Sequence, residues 1–238
     1  MSFQDHITFE NIHFYAATNA ATCKKPKGLV LQFHGISDSC FGLQDPDFAK
    51  RCDEHNMLYL YPYGGPWNWM NKALVLTTDR CIDVLFEKFG LEENTPVVST
   101  GHSMGGYGAL MFTLNSCHNI VACAANCPVC DLEAFSSSSD HLPRTIIHSL
   151  GAYDGSYDEI MKECSPIYRT VDMPKIPYYI VHGCDDSDVS KNLHSDKFVF
   201  KMRELGKNVK YDEVENMGHV AMPPESIERY FDFIFSQV

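Results

Sequence analysis

The chain has 238 residues, 45% of them hydrophobic and 21% charged, and a formal net charge of −12. That composition is globular, and the length suits one α/β domain with a large buried core. An acidic chain argues against nucleic acid as a partner, since phosphate binding needs concentrated Lys and Arg. No run of about 18 apolar residues is present, so no membrane span is expected.

The N-terminal stretch MSFQDHITFENIHF lacks a basic segment followed by an apolar one, so no signal peptide is read there and a cytoplasmic location is expected. The segment ITFENIHFYAAT alternates apolar and polar residues and predicts a half-exposed strand, paired antiparallel through the polar turn ATCKKPKG. GLVLQFHG is a short apolar run ending at Gly35, the pattern of a buried central strand. A short helix over about 45–55 and a second buried strand, MLYLYPYG, follow. KALVLTTDRCIDVLFEKFG then carries Leu74, Cys81, Leu85 and Phe89 at helical spacing, with Gly90 as the stop.

TPVVST predicts a strand, GYGALMFTLN a helix and NIVACAAN a strand. The stretch from about 128 to 176 holds a serine run and two or three short helices, and reads as a lid-like insertion. PYYIVHG is a strand, SKNLHSDKFVFKMRELG an amphipathic helix closed by Gly206, VKYDEVEN a strand, and PPESIERYFDFIFSQV a final helix with proline at its start. Strand and helix alternate from residue 28 onward. The predicted fold class is α/β, a mostly parallel central sheet with helices on both faces, in a single domain over 1–238.

Between the strand TPVVST and the helix GYGALMF lies GHSMG, a G-x-S-x-G pattern. By average composition it would arise by chance in about one chain in twelve of this length. The strand-turn-helix setting is what gives it meaning. Gly101 and Gly105 let the chain close around Ser103, and Gly106 lets the helix lie against the sheet. A serine there is placed as a nucleophile, and the Met104 N–H at the helix start is placed to meet developing negative charge.

A serine hydroxyl needs a base. Of eleven histidines, His219 in ENMGHVAM follows the last predicted strand, at the sheet edge where open α/β folds bind ligands, with Gly218 allowing the turn. The orienting acid should follow the preceding strand, where HGCDDSDV offers Asp185, Asp186 and Asp188. Asp186 is preferred; Asp188 reads equally as an N-cap for a helix at 190, and Asp185 fits the spacing less well. The loop after the first buried strand, FHGIS, offers the Ile36 N–H as a second oxyanion donor, with His34 holding the loop.

Together FHG at 33–35, GHSMGG at 101–106, HGCDDSDV at 182–189 and MGH at 217–219 resemble the α/β-hydrolases. Within them the chain is most similar to the prolyl-oligopeptidase-type and small carboxylesterase branch, which includes feruloyl and acetyl-xylan esterases. The resemblance implies Ser103 as nucleophile, Asp186 as acid, His219 as base, and the N–H groups of Ile36 and Met104 as the oxyanion hole. In that family the aspartate commonly falls three residues after the glycine of H-G-x-x-D, which is Asp186. The oxyanion loop departs from the family's H-G-G by reading H-G-I-S. The sequence shows no propeller domain of the prolyl oligopeptidases, which favours ester over peptide cleavage as the expectation.

Trp67 and Trp69, the two tryptophans, lie in a loop at the same sheet edge and are candidate stacking faces for sugar or phenolic groups, with loop packing as the alternative. The expected partner is a small-molecule ester; no cofactor and no metal is expected. Cys123, Cys127 and Cys130 have C-x3-C-x2-C spacing but no cofactor-binding context, and read as a packed strand end. The ten cysteines are expected to be free thiols. Peptide hydrolysis and a non-catalytic binding role are the competing readings.

Overall fold

The computed structural model describes residues 3–37, 45–138 and 140–238. Cys40 and Ser139 lie outside the described residues. The strands are β1 (Ala16–Thr18), β2 (Gly28–Phe33), β3 (Met57–Pro62), β4 (Val97–His102), β5 (Ile120–Asn126), β6 (Tyr178–Gly183) and β7 (Val209–Val214). The helices are α1 (Pro46–Glu54), α2 (Lys72–Phe89), α3 (Met104–Asn115), α4 (Leu132–Ser136), α5 (Leu142–Leu150), α6 (Tyr157–Glu163), α7 (Ser195–Glu204) and α8 (Pro224–Phe235).

One open seven-stranded sheet runs in the order β1-β3-β2-β4-β5-β6-β7. Among the described residues, only β1 is antiparallel to its neighbour. From β2 the chain crosses to β3 on one side, then returns over β2 to β4 on the other. The carboxyl ends of β2 and β4 therefore flank a topological switch point, where open α/β sheets leave a crevice.

The central strands are buried along almost their whole length, as strands covered on both faces must be. Their side chains feed two apolar clusters. One contains Leu29, Leu31 and Phe33 with residues of α2, α3 and α7. The other contains Val30, Tyr59 and Val98 with Phe48 of α1 and Tyr230 and Ile234 of α8. Helix boundaries follow local chemistry. Asp45 caps α1 by accepting from the Phe48 N–H, Asn71 caps α2 through the Leu74 N–H, and Gly90 ends α2 at φ +64°.

The N-terminal segment differs from its alternating pattern. It forms 3-10 turns at Phe3–His6 and Ile12–Phe14, and only Ala16–Thr18 is strand. Asn11 competes for the backbone here: its side chain accepts from the Thr8 N–H and donates to the His6 carbonyl, each at 2.8 Å. β1 pairs with β3, not with β2 across the turn. Asn19 extends that pairing, donating to the Met57 carbonyl at 3.0 Å and accepting from the Tyr59 N–H at 2.7 Å. Helix α7 also starts later than its sequence pattern, at Ser195. His194 just before it is buried, and its Nδ1 accepts from the N–H groups of Cys130 and Asp131, both at 3.2 Å.

Leu31, fully buried at the centre of β2, tests this core. Leu31→Ala should cost about 2–5 kcal/mol in urea unfolding, with the m-value unchanged.

Candidate functional site

Ser103 sits at the end of β4 as the residue before α3, with φ +55° and ψ −122°. That backbone conformation is rare for a residue with a side chain. Close backbone approach on both flanks holds it. A Cβ on Gly101 would lie 2.2 Å from the Gly105 carbonyl oxygen, and one on Gly105 would lie 2.0 Å from the Phe33 carbonyl oxygen. Both glycines are therefore required, Gly101 against the turn itself and Gly105 against the end of β2. The Ser103 N–H donates to the Asn126 carbonyl at 2.9 Å, tying the turn to β5.

His219 reaches Ser103 from the β7–α8 loop. Its Nε2 lies 2.9 Å from Ser103 Oγ, and its Nδ1 lies 2.7 Å from Asp186 Oδ2. A carboxylate only accepts, so Nδ1 carries the proton and Nε2 accepts from the Ser103 hydroxyl. The Asp186 side chain is fully buried. Its Oδ1 accepts from the N–H groups of Asp188 and Val189, each at 2.9 Å. Burial is the largest influence on its pKa and raises it, but hydrogen bonds from His182, His219 and the Val189 N–H prevail and hold the carboxyl well below the usual range.

The acid and base loops meet because Gly183, closing β6, has no side chain. A Cβ there would lie 2.2 Å from the Met217 carbonyl oxygen and 2.4 Å from that of Gly218. Gly218, expected to permit the turn, has open space where a Cβ would go; Gly183 is the glycine this approach requires. Asp185 and Asp188 are exposed. Asp188 does not cap a helix at 190, since α7 begins at Ser195.

Met104 is the first residue of α3, where an N–H has no acceptor within the helix. Ile36 is half-buried in the loop after β2. That loop is fastened to the tryptophan loop. His34 is buried, its Nδ1 donating to the Gly35 carbonyl at 2.8 Å and its Nε2 accepting from Asn68 Nδ2 at 3.1 Å. The Ser37 N–H donates to the Pro66 carbonyl at 2.7 Å.

The tryptophans divide. Trp67 is 40% exposed. Trp69 is fully buried, its indole N–H donating to Thr145 Oγ1 at 3.0 Å and its rings packed edge-on against Tyr107 and Phe135. Trp69 therefore has no exposed face for a substrate and belongs to the core, which corrects its place among the candidate contacts. Asn68 and Asn71 are likewise committed to holding the loop and capping α2.

Cys123, Cys127 and Cys130 are buried free thiols that do not converge as a ligand group. Cys123 and Cys130 belong to one apolar cluster and Cys127 to the other. Two other groups bring three donor atoms within 4.8 Å among the described residues: Asp79, Cys117 and His118, and Cys127, Asp186 and His219. In the second, burial pushes the Cys127 thiol up to about 12, and Asp186 and His219 already satisfy each other.

Two participants escaped the sequence reading. His182 is fully buried in β6, with its Nε2 3.2 Å from Asp186 Oδ2 and 2.9 Å from the Val189 carbonyl oxygen. Its Nδ1 lies 2.6 Å from Ser195 Oγ. Nε2 must donate to that carbonyl, so Nδ1 accepts from the serine. Asn126, which closes β5, is the other. A polar residue ending the run ACAAN is its signal in the sequence.

A model of the prolyl oligopeptidase family matches residues 80–236. The chain belongs to the prolyl oligopeptidase family. It is thus a member of a serine hydrolase family, and its fold is the α/β-hydrolase fold. No curated protein matches it in sequence. Among solved structures, it resembles the acylaminoacyl peptidase of Pyrococcus horikoshii at 15% identity and a TM-score of 0.66, covering 88% of this chain and 37% of that one. Esterase PE8 resembles it at 15% identity and a TM-score of 0.63, covering 94% of this chain and 99% of that one. Esterase B from Lactobacillus rhamnosis does so at 15% identity and a TM-score of 0.64, covering 90% and 78%. The chain spans little more than a third of the length of the acylaminoacyl peptidases it matches. No helix among the described residues is long and apolar enough to cross a membrane.

Two predictions concern this geometry. Gly183→Ala should destabilise the protein by about 1–3 kcal/mol or more, because backbone must move; Gly218→Ala should leave the melting temperature nearly unchanged in a thermal scan. Asp186 titrates near 4 when unfolded and lower when folded, so its ionised form adds stability above about pH 5 that fades as pH falls through 4 and below. The stability advantage of wild type over Asp186→Asn, measured by urea unfolding, should be smaller at pH 3 than at pH 5.

Proposed function

We propose that this family member cleaves carboxylic esters through an acyl-enzyme on Ser103. The observation that carries the reading is the unbroken hydrogen-bond relay Ser103–His219–Asp186 at the switch point of the sheet. In this reading Ser103 Oγ attacks the ester carbonyl carbon while its proton passes to His219 Nε2. The carbon–oxygen bond to the alcohol then breaks, and His219 returns the proton to the leaving oxygen. Water, deprotonated by the same nitrogen, releases the acid and restores Ser103. Asp186 holds the imidazole in the needed tautomer and stabilises its charged form. The N–H groups of Met104 and Ile36 stabilise the oxyanion, each contributing about 3–4 kcal/mol if it behaves as such donors do elsewhere.

Ester cleavage is preferred because both esterases are matched along most of their own length. Substrate contacts are assigned to the exposed Trp67; a separate cavity of about 270 Å³ between α1 and α8 is lined by neither Trp67 nor any residue of the relay. Phe48, Met222, Ile227 and Phe231 give that cavity an apolar wall, and His102 and Val220, the neighbours of Ser103 and His219, also line it. The exposed indole face of Trp67 suits a phenolic group or a sugar ester. The stretch 128–176, with α4, α5 and α6, serves as the lid. It is fastened to the tryptophan loop by Thr145 and Ser149, whose hydroxyl donates to the Trp67 carbonyl at 2.7 Å.

The family and its acylaminoacyl peptidase relatives support a second reading, hydrolysis of short peptides. An ester panel from acetyl to octanoyl, with feruloyl and acetylated sugars, run beside matching amides separates the two. Esters should turn over faster than amides, and Ser103→Ala should lower ester turnover by at least about 10³-fold with the fold intact. Wild-type turnover by Ser103→Ala rejects the nucleophile assignment; faster amide cleavage selects the peptidase reading.

A further inference from the structure

The strand β5 ends on a residue that touches both halves of the relay. Asn126 lies opposite His102 in the β4–β5 register. Its backbone carbonyl accepts the Ser103 N–H at 2.9 Å, and its side-chain nitrogen donates to the Val220 carbonyl, also at 2.9 Å. Val220 directly follows His219. One buried asparagine, 3% exposed, therefore bridges the turn that carries Ser103 and the loop that carries His219.

Val220 is where such a brace is needed. Its φ is +55°, and the Ala221 N–H donates across it to the His219 carbonyl at 2.8 Å. This is a γ-turn with a left-handed central residue, a strained arrangement, and a β-branched side chain there is a marked outlier. Left to itself the loop would relax toward negative φ and carry His219 with it. The Val220 carbonyl accepts from the Met222 N–H within the loop and from the Asn126 amide outside it, each at 2.9 Å, so Asn126 is the link that ties this turn to the sheet. A carbonyl can only accept, so the amide nitrogen must face it. That orientation leaves Asn126 Oδ1 buried with no hydrogen-bond partner, a cost the fold carries rather than turning the amide over.

We propose that Asn126 is a positioning residue that keeps His219 Nε2 within hydrogen-bond reach of Ser103 Oγ by holding the strained Val220 turn. The inference rests on reading Ser103 as nucleophile and His219 as its base. Reacting groups misplaced by about an ångström lose up to about 10²-fold in rate, so the brace should govern how fast Ser103 reacts rather than whether the protein folds.

The test is the second-order rate of Ser103 modification by an alkyl fluorophosphonate, followed by mass spectrometry, with circular dichroism and melting temperature recorded alongside. Wild type must label at Ser103; if it does not, the reading of Ser103 fails, which is a separate result. Asn126→Ala should label at least about tenfold more slowly at a temperature where it is fully folded. Adding Val220→Gly to that variant should raise the rate several-fold, because glycine adopts φ +55° without strain. A purely structural role for Asn126 would lower the melting temperature without this pattern. Wild-type labelling by Asn126→Ala, or a slowed rate that Val220→Gly does not raise, overturns the proposal. Should Asn126→Ala not fold, the near-isosteric Asn126→Asp takes its place. Its carboxylate cannot donate to Val220, but its protonated form can, so its rate relative to wild type should rise from pH 8 to pH 5. A flat ratio in that range overturns the proposal.

Discussion

The site depends on one steric constraint: the backbone after Ser103 lies directly on the end of β2. Where a Gly105 side chain would go, the Phe33 carbonyl oxygen already sits at 2.0 Å. That approach accompanies the unusual backbone conformation of Ser103, whose hydroxyl meets His219 Nε2 at 2.9 Å. It also seats the start of α3 against His34, whose carbonyl oxygen would lie 2.7 Å from a Gly105 Cβ. The contact joins β2 to the start of α3, the helix that follows β4, and so sits at the switch point between β2 and β4.

A second constraint is electrostatic. Asp186 is the node on which His219, His182 and the turn at Asp188–Val189 converge. A buried carboxylate with fewer donors would give up its charge; here both oxygens are satisfied and the charge is retained. His182 carries the network inward to Ser195 at the start of α7. The acid's position is thereby coupled to a helix remote in sequence from the serine turn, and the imidazole's tautomer follows from the acid's.

The loops above the sheet are stiffened by polar contacts in a similar way. His34 and Asn68 join the β2 loop to the tryptophan loop, and Trp69 with Thr145 joins that loop to α5. Each link uses a buried side chain with a specific partner, so the loops are seated by tertiary hydrogen bonds instead of by regular structure. Trp69 supplies the anchor, while Trp67, two residues away, stays 40% exposed.

Much of this was legible in the sequence. Alternating apolar strands and amphipathic helices specified an open α/β sheet, because burial on both faces demands continuous apolar strands. The G-x-S-x-G turn, with Asp186 and His219 each following a strand, marked the relay, since strand ends are where loops meet over such a sheet. Three things depended on tertiary structure. The N-terminal segment alternates like a strand, yet Asn11 and Asn19 hydrogen bonds, local in one case and to β3 in the other, decide its conformation. Trp69 and Trp67 are two residues apart and chemically identical, and only packing against Tyr107 and Phe135 buries one of them. Gly183, His182 and Asn126 acquire their roles from groups outside their own strands: the Met217 and Gly218 carbonyls, the Asp186 carboxylate and Ser195 hydroxyl, and the Ser103 N–H and Val220 carbonyl. A linear pattern records periodicity and spacing, but not which distant carbonyl a glycine must clear or an amide must reach.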